Sequence, residues 1–399
     1  MTQINFTLNL EDLKEKIQES TLETTIKAST TMALNELMKK EQEEHLQVDA
    51  YERSSKRKSY RNGFYGRSLI TSAGTLLLNI PRTRDGEFSP SVFEKYERID
   101  QAFMLSMIEM VVNGVSTRNV QKIVHHYCGK KVSKSLVSEL LKQLDPVVDK
   151  WRNRPLNAQY FPYVYADAMY IKVREGDRVV SKALHIATGV SSAGKREVLG
   201  MKISGGESTN TWTEFFDELK ARGLQRPQLI ISDAHAGLVS SIRSSFAGTS
   251  WQRCFFHLSR NIAGVLPKKG SKEMRAQIKD IFDAPTLKQA RERKNMLIED
   301  YGEDKKYEKA MKLLDEAFDD ATQYYQYPSH HHISLRTSNS IERLNQDVRK
   351  REKIIKIFPN IDSATRLIGA VLMDIDEGYA NKRNKFMTME EKVERYEKK

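Results

Sequence analysis

Three carboxylates stand where their surroundings give a carboxylate little reason to be. Asp167 lies midway along the apolar run Tyr165-Ala166-Asp167-Ala168-Met169. A charge there is costly unless it is paired, bound to a metal or set at an open edge. Asp233 directly follows Leu229-Ile230-Ile231-Ser232, and open α/β sheets usually bind ligands at the carboxyl ends of their strands. Glu342 falls in the first turn of a helix opening Ser338-Asn339-Ser340. Two of them have ordinary alternatives: a helix N-cap for Asp233 and a dipole-stabilised position for Glu342. Taken together, three acids from separate regions suit two hard divalent cations. Mg2+ is the natural choice and Mn2+ its substitute, with water and phosphate oxygens completing the shell. Two such ions roughly 3.5–4 Å apart activate an attacking oxygen and stabilise a leaving one.

Other chemistries find less support. Cys254 and His257, in Trp251-Gln252-Arg253-Cys254-Phe255-Phe256-His257, are half a zinc site. No second pair at ligand spacing exists, so a packing cysteine and a hydrogen-bonding histidine near the active strand are expected. His330-His331-His332 suits contact with DNA or a metal, or a surface cluster without a role. There is no G-x-S-x-G elbow and no glycine-rich phosphate loop, so ATP-driven chemistry is unsupported.

Positive charge is plentiful: 65 Lys and Arg against 53 Asp and Glu, a net charge of +12. A polyanionic partner follows, since neutralising phosphates releases condensed counterions. Arg53, Lys56, Arg57, Lys58, Arg61 and Arg67 interleave with Tyr60, Phe64 and Tyr65, which suits either a phosphate-tracking arm or a solvated linker. In 114–144, Ser116 or Thr117 caps one helix, Gly129 breaks it and Ser133 caps a second. Lys130, Lys131 and Lys134 crowd the second helix's start, where a recognition helix would meet DNA. Arg336, Arg343, Arg349, Lys350, Arg351 and Lys353 surround Glu342, and Asn345 and Arg349 share its helix face.

The elements that must position these groups fall into blocks. A chain of 399 residues suggests two to four domains. No apolar run reaches membrane-spanning length, the N-terminus lacks a signal-peptide pattern, and two cysteines exclude a disulfide framework. A soluble protein of a reducing compartment is expected. Residues 1–50 carry helical periodicity over 9–47. Residues 51–98 hold the basic arm and two short strands, 68–72 and 75–80, the second ended by Pro81. Residues 99–152 read as a helix-turn-helix-like DNA-binding region. Strands at 160–173, 178–190 and 195–204, then alternating helix and strand, imply a mixed α/β sheet over 158–257. A charged helical block fills 258–335. Helices over 336–385 and a charged tail at 386–399 close the chain.

The string from Asp167 to Ser208, then TWTEFFDELKARGL, LIISDAHAGL, CFFHLSRN and LRTSNSIERLNQDVRKREKIIKIFPN, resembles the Mutator-type transposase family of bacterial insertion sequences. YRNGFYGRSLITSAGTLLLNIPRTRDGEFSP and GVSTRNV fit the same family upstream, so the resemblance spans about 50–375. It implies an RNase H-like core with a helical insertion between the second and third acids. The family's D-D-E triad falls on Asp167, Asp233 and Glu342, and its C-x2-H pair on Cys254 and His257. Ala234 stands where many members carry Gly. The implied activity is cleavage at terminal inverted repeats and joining of the freed 3′-hydroxyl to target double-stranded DNA. A homodimer that synapses two ends, and a bacterial cytoplasmic location at the nucleoid, are implied with it. Three other readings remain: a DNA-binding regulator that does not cut, a metal-dependent nuclease that hydrolyses without joining, and a structural protein that coats the nucleoid.

Overall fold

The computed structural model describes residues 22–48, 52, 54–55, 57–71, 74–93, 101–128, 132–268 and 271–389. Arg53, Lys56, Lys130 and Lys131, residues 9–21 of the expected first helix, Gly129 and most of the charged tail lie outside them. The chain divides into two compact units, 1–142 and 143–399.

In the first unit, helix α1 (Leu22–Leu46) packs on a ribbon of β1 (Arg61–Thr71) and β2 (Gly74–Thr83). Met38 of α1 meets Leu69, Leu76, Leu78, Ile80 and Phe93 in a small apolar core. β1 starts well before its expected beginning and β2 runs past its expected end, because Arg61 pairs with Thr83 and Phe64 with Pro81. Pro81 therefore does not end β2: each strand of a two-stranded ribbon has an open side, where a missing N–H costs no ladder bond. Residues 61–67 of the expected basic arm, with Arg61 and Arg67, are thus strand. Arg67 lies over the Phe93 ring at 4.1 Å, and Arg57 and Arg84 flank Tyr60 at 5.3 and 5.6 Å.

Helices α2 (Gln101–Val112), α3 (Thr117–Cys128) and α4 (Lys134–Leu141) follow. The caps are those the sequence announces: Ser116 Oγ accepts from Asn119 N at 3.3 Å and Ser133 Oγ from Leu136 N at 3.0 Å. The next helix, α5 (Asp145–Arg152), belongs to the second unit, although the expected 99–152 region included it.

The second unit is built on a five-stranded mixed sheet in the order β5-β4-β3-β6-β7. β3 (Tyr163–Glu175), β4 (Arg178–Val190) and β5 (Arg196–Ser204) form an antiparallel meander. β6 (Leu229–Ser232) and β7 (Ser250–Arg253) add in parallel beside β3. Between β5 and β6 runs α6 (Thr209–Ala221), held by a Ser208 capping box, and between β6 and β7 runs α7 (Ala236–Ser245). Trp212, Phe215, Phe216 and Leu219 of α6 and Leu238 and Ile242 of α7 bury one sheet face with Val164, Ala166, Ala187 and Ile230.

After β7 the chain leaves the sheet through α8 (Phe255–Val265), α9 (Lys272–Phe282), α10 (Leu287–Tyr301) and α11 (Glu308–Ala321), which share their own apolar core. Gln252 ties both ends of this excursion: its Nε2 donates to Ala321 O at 2.8 Å and its Oε1 accepts from Tyr324 N at 3.0 Å. The short α12 (His332–Leu335) leads to α13 (Asn339–Ile355) and α14 (Ile361–Ala380), which pack on the sheet. α5 is pinned to α14 by the paired Arg366–Asp145 hydrogen bonds of 2.6 and 2.7 Å and by Trp151 Nε1 to Asp376 at 2.9 Å. Among the described residues, no helix is long and apolar enough to cross a membrane.

Candidate active site

Parallel pairing of β3 with β6 sets the site. Tyr165 pairs with Ile231, and two residues further on stand Asp167 within β3 and Asp233 just past the end of β6, near enough for their charges to interact. β6 ends at Ser232, so Asp233 opens the loop at the carboxyl end of the strand. Its Oδ1 accepts from His235 N at 3.2 Å, and the N-cap of α7 is His235, so Asp233 does not cap that helix.

Asp167 is held from two sides. Its Oδ1 accepts from Ala168 N at 3.0 Å and its Oδ2 from Asn345 Nδ2 at 2.6 Å. Asn345 lies one turn beyond Glu342 on α13, so the same hydrogen bond docks the helix that carries the third acid. Burial, then the neighbouring Asp233 charge, push the Asp167 carboxyl up to about 7, with the Glu342 charge adding to this and His257 opposing it. Glu342 accepts from Ser338 Oγ at 3.2 Å, and its Oε1 stands 3.8 Å from His257 Nε2.

Cys254 and His257 brace the site from the first turn of α8. Cys254 is wholly buried, and its Sγ accepts from Ser338 N at 3.2 Å and Ser338 Oγ at 3.1 Å. Burial raises its thiol pKa, but hydrogen bonds with His257 and Ser338 bring it below the ordinary value. The Cys254 side chain pushes His257 up to about 9 against its own burial, and the Asp167 and Glu342 charges reinforce it. Cys254 is buried, and His257 presents Nε2 toward Glu342 while its buried Nδ1 meets no hydrogen-bond partner among the described residues. Across the site stands Glu207, which sequence reasoning missed: it accepts from Trp212 Nε1 at 3.1 Å and lies 3.4 Å from His235 Nδ1.

The expected DNA contacts separate into two groups. Arg343, Arg349, Lys350 and Lys353 are exposed on α13, and Lys134 is exposed at the start of α4. Arg336 is engaged elsewhere: it donates to Phe282 O at 2.7 Å, pairs with Asp283 and lies over the Phe255 ring, joining the helical excursion to the sheet. Asn345 is buried against Asp167 rather than facing outward. The histidine cluster is a structural tie. His331 is buried between Tyr163 OH at 3.0 Å and Thr388 O at 2.7 Å, and His332 meets Tyr327 O at 2.8 Å.

These features define a mixed α/β protein with carboxylates gathered at adjacent strands and one docked helix, and with a helical excursion between the second and third of them. The family described as Transposase, Mutator family, matches residues 1–382. The chain is 51% identical over 390 residues to the transposase for insertion sequence element IS256 in transposon Tn4001 of Staphylococcus aureus, covering 98% of this chain and 100% of that one. It is 34% identical over 358 residues to the ISRM5 transposase of Rhizobium meliloti, covering 90% and 89%. It is 35% identical over 324 residues to the IS1081 transposase of Mycobacterium tuberculosis, covering 81% and 78%. The chain belongs to the Mutator family and is an insertion-sequence transposase.

Proposed function

We propose that the mixed sheet is an RNase H-like catalytic core in which Asp167, Asp233 and Glu342 hold two Mg2+ ions, with Mn2+ able to replace them. The observation that carries this is the meeting of three carboxylates from separate parts of the chain: burial first, then the Asp233 and Glu342 charges, hold the Asp167 carboxyl above its usual range, and three such hard oxygen donors suit hard cations. Bound there, the ions supply charge neutralisation at the scissile phosphate and lower the pKa of an attacking water or hydroxyl. The chain's own residues do the rest. Asn345 orients Asp167, Ser338 orients Glu342, and His257 holds a positive charge against the cluster.

The substrate is double-stranded DNA carrying the element's terminal inverted repeats. The reaction is strand cleavage followed by attack of the freed 3′-hydroxyl on target DNA. Exposed Arg343, Arg349, Lys350 and Lys353 on α13, with Arg351 beside them, bring phosphates to the acids they flank. Lys134 and the α3–α4 pair, with the basic residues of 53–67, grip the ends. A homodimer brings two ends together, and the protein works in the bacterial cytoplasm on the nucleoid.

A strand-transfer assay with the element's own terminal repeat, Mg2+ or Mn2+, and Asp233→Asn tests this reading. Joined product that vanishes in the variant and in EDTA is expected. Cleavage without joining refutes strand transfer in favour of a nuclease, and end binding without metal-dependent chemistry refutes catalysis.

A further inference from the structure

The sequence offers Cys254 and His257 as half of a soft-metal site and no second pair to complete it. Folding supplies a third ligand from far along the chain. Cys254 Sγ, a His257 ring nitrogen and a Glu342 carboxylate oxygen all lie within 4.8 Å of one another. His257 Nε2 and Glu342 Oε1 are already at 3.8 Å. A four-coordinate Zn2+ holds such ligand atoms roughly 3.3–3.7 Å apart, so side-chain adjustments on the order of 1 Å close the set. The sulfur is oriented by the Ser338 N–H, and the one Ser338 hydroxyl proton is shared between the sulfur and Glu342, outer support of the kind metal-ligating atoms use. His257 and Glu342 are each about one-fifth exposed, which leaves a side open for the ion to enter and for water as fourth ligand.

We propose that Cys254, His257 and Glu342 bind one soft divalent cation, Zn2+ foremost, and that its binding inhibits the transposase by withdrawing Glu342 from Asp167 and Asp233. The ligand chemistry separates this ion from Mg2+. A thiolate and an imidazole select Zn2+ or Cd2+, whereas Asp167 and Asp233 present only hard oxygen. Binding releases the Cys254 thiol proton to solvent and involves no redox step. Glu342 belongs to both sets, so the two kinds of ion compete through one side chain. The inhibition rests on the catalytic role proposed for Glu342, and the binding does not.

The test uses the full chain with Cys128→Ser, which leaves Cys254 as its single thiol. Cd2+ is titrated alone and the ultraviolet thiolate-to-cadmium charge-transfer band is read. One Cd2+ per chain is expected, displaced by Zn2+, lost in Cys254→Ser and needing at least about tenfold more Cd2+ in His257→Gln. The part-exposed His257 carries the test if the buried Cys254 substitution does not fold. No band, or a band indifferent to His257→Gln, overturns the site. Zn2+ then stops Mg2+-supported joining over the concentrations that displace Cd2+. Zn2+ bound with joining intact overturns the inhibition. If Mg2+ alone supports no joining, the catalytic reading fails, and the absorbance band still decides the binding.

Discussion

Replacing Asp167 by Asn abolishes joining and, in the absence of metal, makes the protein more stable at pH 8. Asp167 titrates at about 7 in the fold against an ordinary 3.8, burial and the Asp233 charge being the causes. The folded state therefore holds the proton more tightly than the unfolded chain. The stability this confers is complete below about pH 3.8 and is lost as pH rises through 7. At about 1.4 kcal/mol per pH unit, the interval is worth at most about 4 kcal/mol. Asn carries no charge, so the variant escapes that loss. Its single amide oxygen keeps the bond from Asn345 Nδ2 and gives up the one from Ala168 N, which holds the gain below that ceiling. Each kcal/mol moves the melting temperature of a unit this size by roughly 2–4 °C. A gain of roughly 5 °C or more at pH 8 in EDTA, shrinking to nothing near pH 4, is the expected thermal-melting result. Mg2+ should raise the melting temperature of the wild type more than that of Asp167→Asn. A variant no more stable than wild type at pH 8, or one with the same gain at pH 4, refutes the crowding on which the site's reading depends.

Asn345→Ala removes a hydrogen bond to a charged partner, worth about 1.5–3 kcal/mol, so single-turnover joining should fall roughly 10- to 100-fold, with more Mg2+ needed for half-maximal rate. His185 is fully buried against Trp212 and Ser204, and burial, aided by Lys202, pushes it down to about 4. Its folded pKa lies below its unfolded value, so its contribution is whole above about pH 6.5 and is lost toward pH 4. Urea unfolding at pH 7.5 and 4.5 should show His185→Gln losing about 3 kcal/mol less than wild type across that interval. Arg349→Ala with Lys353→Ala should weaken DNA binding about equally for all sequences and reduce the log–log salt slope by about 1.8, measured by fluorescence anisotropy; an unchanged slope would remove α13 from the DNA contact surface.

Much of the local structure was legible from the residues alone. Ser133 announces its helix because a cap is a hydrogen bond reaching only three residues ahead. The β-branched and aromatic runs before Val190 announce β3 and β4, since side-chain alternation is written into consecutive residues. The three acids also stood out locally, as charges in apolar or strand-end settings. Where local signals ran out, the readings shifted. β1 extends back through the basic arm because its partner strand, not its own composition, carries the pairing. Arg336 had the charge of a DNA contact, yet Phe282 and Asp283, more than fifty residues away, engage it.

The sequence by itself determined which residues stand out as able to do chemistry and the family to which the chain belongs. Tertiary structure alone decided that Asp167 stands beside Asp233, through a parallel register between strands over sixty residues apart. It also turned Asn345 inward onto Asp167 and brought Glu342 within reach of Cys254 and His257. The reason is physical: residue type and short-range spacing set propensity and donor chemistry. Desolvation, charge repulsion and ligand geometry depend on distances between atoms that only the packed chain defines.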